Sequence, residues 1–333
     1  MSKERVLDQQ ERLLAIREHL RVRAKVESTD FESEVAAACI EKVRPIIEKN
    51  VGQQGEVIIG EIASSLRVRF EEVTSPEDIK RVEHKYLKQG ELGFGALERE
   101  LQSPDVDALL FQRMHVDATT SDRWVAVLNL QASRARAYWS RPHELTHRIA
   151  EPPQGRLPLF RHKSDYENKL ERLIDLGAAG LAFPKLAFAP IVAEHFGAPL
   201  TWSAIKDIGE AFAPTASLQS VAKAVLTHWP RPAILLIAAM RAKRNNPHGP
   251  RDLRISIDGF SPSGQTCGVF FFNNMRVPVT SPLMHAFQSQ AEETGFEMLS
   301  EWRTSDGSRL PSRRALTSAI GIQGRAYALI SPE

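Results

Sequence analysis

Cysteine is nearly missing: Cys39 and Cys267 are the only two in 333 residues. Their spacing fits neither a disulfide framework nor a cysteine-based zinc module. Excess charge is missing as well. A formal net charge of +2 gives no global attraction to nucleic acid or to an acidic membrane surface. Long apolar runs are also absent. The longest, Ala233 to Met240, is far too short to span a bilayer. The first 23 residues mix acidic and basic side chains and contain no apolar segment, unlike an export signal. These absences together predict a cytoplasmic chain with reduced thiols and no membrane attachment. Neither repeats nor low-complexity tracts occur, and 42% hydrophobic residues suffice for the cores of two or three domains.

Against that plain background one short stretch stands out, His143-Glu144-Leu145-Thr146-His147. Histidines four residues apart project from one face of a helix, about a turn from each other. Two imidazoles so placed can bind one divalent metal, and Glu144 between them is the usual base of such a site. A third protein ligand is then required. The next helix expected downstream covers residues 165 to 183. It opens on a capping-box pattern with Ser164 as cap and Glu167 reaching back. Its apolar stripe is Leu170, Leu173, Ile174 and Leu181, and Glu171 and Asp175 border it, four apart. Carboxylates beside a buried face are costly unless paired or metal-bound. Glu171 is therefore read as the third ligand. Asp175 is read as the acceptor for the free N–H of a ligating histidine. Glu167 competes for the ligand role, but capping already accounts for it. Zn²⁺ suits this set, with Mn²⁺ as the second candidate. A donor for an oxyanion would come from Arg161, His162 or Tyr166, and the sequence does not choose among them.

Pro142 precedes the first histidine directly. Either it kinks a longer helix or the metal-bearing helix starts there, and Glu151-Pro152-Pro153 stops that helix on the other side. Elsewhere the periodicity predicts helices over 3–27 and 31–49, with Pro45 bending or interrupting the second. A helix is expected near 57–66, and a strand from Val68. A helix should start at Ser75-Pro76, with strands at 109–111 and 124–130, the latter apolar on both faces and so central. Residues 155–163 read as a loop. Helices at 202–212 and 217–228 give a helix-turn-helix outline. Its second helix offers only Lys223 as a basic residue, which argues against DNA binding. Beyond residue 230 the pattern is mixed. Strands are expected at 233–239, 253–257, 269–272 and 326–331, a turn-rich loop at 245–250, and a helix over 281–293. The fold class is therefore α+β. It comprises a helical extension (1–54), a metallopeptidase-like domain (55–200), the helix-turn-helix-like segment (201–229) and a small α+β domain (230–333).

Taken together, the residues resemble the ImmA/IrrE-type metallo-endopeptidases. The resemblance rests on the strand from Trp124 to Asn129, then Arg136 and Trp139 ahead of the His143–His147 motif. It continues through Glu171 to Pro184. It covers roughly residues 55 to 200. The family usually has Ala where Pro142 stands and often Gly where Thr146 stands. The resemblance implies a zincin-like domain with His143, His147 and Glu171 on the metal and Glu144 as base. It also implies a protein substrate, a helix-turn-helix repressor whose cleavage would derepress genes, and a GAF-like sensor over 230–333. Two other readings differ in class: a DNA-binding or sensor regulator with a silent zincin-like domain, and a toxin- or defence-type protease.

Overall fold

A computed structural model describes residues 3–102, 106–114, 122–131, 136–152, 159–162, 169–243, 246–304 and 307–333. The architecture is mixed α+β, with two separate sheets. The chain divides into two compact units, Met1–Phe188 and Ala189–Glu333. The first takes in the amino-terminal helices together with the motif. The second takes in the helix-turn-helix-like pair and everything after it. No single helix among the described residues is long and apolar enough to cross a membrane.

The first unit begins with helices α1 (Lys3–Leu20), α2 (Phe31–Lys49) and α3 (Gly55–Ser65). Helix α1 stops short of the expected residue 27, and Arg21 takes a left-handed backbone (φ 57°). Pro45 lies within α2 and does not interrupt it. It sits on the exposed side together with Glu41, so the carbonyl that proline leaves without a donor can reach water. The four-stranded sheet has the order β1-β3-β2-β4, built from β1 (Val68–Val73), β2 (Val106–Gln112), β3 (Trp124–Asn129) and β4 (Leu159–His162). Strands β1 and β3 run parallel, and β2 is antiparallel to both β3 and β4. Strand β3 is interior, as its two-faced apolar sequence requires. Residues 159–162, expected in a loop, instead form the edge strand β4, where the apolar pair Leu159 and Phe160 registers with Leu110 and Leu109.

Between β1 and β2 run α4 (Pro76–Leu87) and α5 (Leu97–Leu101). The Ser75 side chain caps α4 by accepting from the Asp78 N–H. These helices close one face of the sheet around Tyr86, Phe94 and Phe111, whose rings stack at 4.3 and 4.2 Å. Helix α6 (Arg136–Ala150) packs against β2 and β3. Helices α7 (Lys169–Ala182) and α2 then lie beside it. Helix α6 begins well before Pro142, so the helix does not start at the proline. The Thr146 hydroxyl donates to the Pro142 carbonyl at 2.8 Å. The capping box read at Ser164–Glu167 lies outside the described residues.

The second unit contains α8 (Lys185–Ala193, begun in the first unit), α9 (Trp202–Phe212) and α10 (Leu218–His228). Thr201 and Ser217 cap α9 and α10. Its sheet is antiparallel throughout, in the order β6-β5-β9-β8-β7. The strands are β5 (Ile234–Lys243), β6 (Asn246–Phe260), β7 (Glu292–Met298), β8 (Arg314–Ile322) and β9 (Arg325–Pro332). Three expectations fail here. The described part of the turn-rich 245–250 stretch extends β6, paired to β5. Residues 269–272 alternate buried and exposed like a strand, but they have no ladder and simply drop Val269 and Phe271 into the core. The helix expected over 281–293 is α11 (Pro282–Ser289), ended by left-handed Gln290, after which the chain becomes β7.

Candidate metal centre

Helix α6 is buried on nearly every side from Pro142 to Ala150. Polar groups at that depth must be matched by others, and helix α7 supplies the match. The two helices come close because of one glycine. A Cβ added at Gly177 would stand 2.6 Å from the Thr146 methyl, so α7 leaves room for a side chain that α6 carries. The Tyr138 hydroxyl donates to the Ala182 carbonyl at 2.6 Å and ties the other end of the pair.

This packing brings the predicted ligands to one point. The Nε2 atoms of His143 and His147 are 3.2 Å apart. A Glu171 carboxylate oxygen is 3.3 Å from the first, and the other oxygen is 3.8 Å from the second. Tetrahedral bonds of about 2.0–2.1 Å imply ligand atoms roughly 3.3 Å from each other. The far nitrogens are also occupied. His143 Nδ1 is 2.9 Å from Asp175 Oδ1, and His147 Nδ1 is 2.9 Å from Glu151 Oε1. Both carboxylates are acceptors, so each ring carries its hydrogen on Nδ1 and turns Nε2 to the common point. Two Nε2 atoms so close cannot both hold a proton comfortably; a cation between them removes that conflict. His143, His147 and Glu171 can therefore hold a metal ion.

The carboxylates that turn the rings inward also favour protonation of His147, so a proton and a metal ion compete for the common point. Burial works against charge on the His147 ring, yet hydrogen bonds to Glu151 and Glu171 outweigh it and push its pKa up to about 10. Burial would likewise raise both carboxyls. Instead the two histidines hold Glu171 well below the usual carboxylate range, and His147 with Arg12 lowers Glu151. Glu144 is 1% exposed and follows His143 by about 100° around the helix, which places it at the flank of the histidine pair.

Asp175, predicted as a histidine acceptor, takes that place on His143. Its counterpart on His147 is Glu151, read from the sequence only as part of a helix stop. The signal was present, since Glu151 follows His147 by four residues just as His147 follows His143. Arg12 of α1 was not foreseen. It donates to Glu151 at 2.8 Å and so stands behind the second histidine. Arg161 and His162 have their backbone in β4, but their side chains, like all of Tyr166, lie outside the described residues.

No family model and no curated protein matches the sequence. A solved structure described as a Mycobacterium tuberculosis transcriptional regulator aligns with 96% of this chain and 82% of that chain. The identity is 12% and the TM-score is 0.42. So distant a likeness assigns no function.

Proposed function

We propose that the chain is a metal-dependent endopeptidase, with zinc as the favoured ion and manganese as the alternative. The observation that carries this reading is the meeting of three donor atoms whose two imidazoles are each turned inward by a carboxylate. A divalent cation held there would polarise a carbonyl and make water acidic enough to act near neutral pH. The protein's own groups then have separate tasks. Glu144 accepts a proton from the attacking water and passes it to the leaving amine. Asp175 and Glu151 fix the imidazole tautomers. Strand β4, at the sheet edge, offers a ladder to which an extended substrate segment can add.

The resemblance to the ImmA/IrrE-type peptidases supports a zincin-like first unit and a regulatory protein as substrate, with a helix-turn-helix repressor as the leading candidate. It also supports a sensor role of GAF type for residues 230–333. The test uses the purified chain with Zn²⁺ or Mn²⁺ and the repressor encoded beside its gene. One discrete cut is expected. Glu144→Gln should abolish the cut while metal content stays unchanged. Stoichiometric metal with an intact repressor under every condition would sink the peptidase reading and leave a metal-binding regulator.

A further inference from the structure

The second unit holds a feature that net charge conceals. Three isolated bridges extend its sheet beyond β6, pairing Arg254 with Arg276, Arg276 with Arg303, and Arg303 with Arg309. On the other side Arg254 registers with Ala239, and Ala239 with Arg325. Residues directly opposite in a sheet share a face. Six neighbouring segments therefore present Arg309, Arg303, Arg276, Arg254, Ala239 and Arg325 in one line. Their chain neighbours fix which face this is. Leu253, Ile255, Met275, Val277, Trp302, Leu310, Ala238 and Ala326 all belong to the core, so the arginines point the other way. At about 4.8 Å per strand, the five intervals make a row about 24 Å long.

Little neutralises it. Asp252 pairs with Arg254 at 2.7 Å and approaches Arg276 at 3.4 Å. Arg254, only 6% exposed, also donates to the Asn274 carbonyl. Among the described residues, no carboxylate pairs with Arg303, Arg309 or Arg325. Like charges directly opposite destabilise a sheet, so the row is kept against its own repulsion. Beyond Lys243 every Lys or Arg position is arginine, the side chain whose planar fork matches phosphate oxygens. The loop that delivers Arg276 carries two exposed rings, Phe270 at 61% and Phe272 at 55%.

We propose that this face binds the sugar–phosphate backbone of single-stranded nucleic acid, with Phe270 and Phe272 available for base stacking. A single file of arginines suits one strand, whereas a duplex presents two backbones across a groove. Arg309, Arg303, Arg276 and Arg254 occupy four successive segments, with Arg325 beyond the neutral Ala239, and such a file matches a chain of phosphates better than the scattered acids of a folded partner. Exposed aromatics on the loop that carries one of these arginines can stack on unpaired bases.

The test measures fluorescence anisotropy of a labelled 20-nucleotide oligodeoxythymidine with the full chain, over a salt series and with chelator present. The chelator keeps the outcome independent of the metal centre. Affinity should fall with salt. The double variant Arg303→Ala/Arg309→Ala should flatten the log–log salt slope by about 1.4, roughly 0.7 per lost contact. Phe272→Ala should weaken binding roughly fivefold or more with the slope unchanged. Thermal melts of these surface variants report that they fold. Absence of binding, binding indifferent to the arginine variants, tighter binding of the matching duplex, or equal competition by polyglutamate would each overturn the proposal.

Discussion

Where α6 meets α7, titratable groups lie beside opposite partners, most of them buried. Along the outer face of the second sheet, Arg276, Arg303 and Arg309 stand exposed beside one another, with Arg254 buried and paired to Asp252. The contrast follows from desolvation. A buried ion without a partner costs several kcal/mol, so His147 lies between Glu151 and Glu171, and Arg12 stands behind Glu151. Exposed guanidiniums are screened and need no such match. The first gathers carboxylates, Glu171, Asp175 and Glu151, around two imidazoles. The second gathers arginines, with Asp252 beside two of them.

The largest effect should come from the candidate ligands. Glu171→Ala should weaken Zn²⁺ binding, measured by competition with a chromophoric chelator, by more than the roughly 10–100-fold expected for a supporting residue. Binding unchanged in that variant would remove Glu171 from the ligand set. The supporting pair should fall in the 10–100-fold range, with Glu151→Ala costing more than Asp175→Ala. Glu151 is the more deeply buried and also holds Arg12, whereas the Asp175 side chain is 36% exposed. An equal loss would show that burial does not set the ranking.

Packing comes next. Gly177→Ala should destabilise the chain by about 1–3 kcal/mol through the clash with the Thr146 methyl. Adding Thr146→Ser, which removes that methyl and keeps the hydroxyl, should restore most of the loss. Failure of the rescue in denaturant titrations would place the crowding elsewhere.

The metal-free protein should also respond to pH. The His147 pKa is raised from 6.5 to about 10, so its ionic contribution is complete below about 6.5 and disappears as pH rises through 10. The lowered carboxyls of Glu151 and Glu171 contribute above about 4.5 and lose their effect as pH falls. With chelator present, the melting temperature should decline from pH 6.5 toward 10, and zinc should flatten that decline. A profile with the same slope in both conditions would mean that His147 is not held charged when metal is absent. The smallest change belongs to the other assembly. Arg309→Ala should alter stability by no more than about 0.5 kcal/mol, and a large loss would show that the row is structural.

How far these features could be read from sequence depended on their span in the chain. The candidate ligands were legible because one helix period carries His143, Glu144 and His147, and the apolar stripe of α7 makes Glu171 and Asp175 conspicuous. Glu151 shares that period, but two prolines after it drew it into a helix stop. Arg12 is 139 residues from Glu151, and no local pattern reports such a distance. The arginine row is composed of five arginines between positions 254 and 325, one per segment. It becomes a row only once strand register is known, and a net charge of +2 hides it entirely. The strands and helices with clean periodicity were read nearly to the residue. Errors fell where alternation lacked a ladder, as at Val269–Phe272, where a turn-rich sequence extended a strand, as in β6, where a helix ended early at a left-handed residue, as at Arg21 and Gln290, and at β4, β7 and β8, where no strand was read.

The helix pair at the metal centre also determines how small a working piece of this protein can be. A fragment begun near Gly55 would keep both histidines and Glu171. Such a fragment would lack Arg12 behind Glu151, Ile40 seated against Gly180, and the Val26 carbonyl that accepts from Lys169. Any gene rearrangement that transplants the centre has to carry the first two helices with it. Truncation from the amino terminus should therefore show up first as loosened metal retention, with loss of the fold following later.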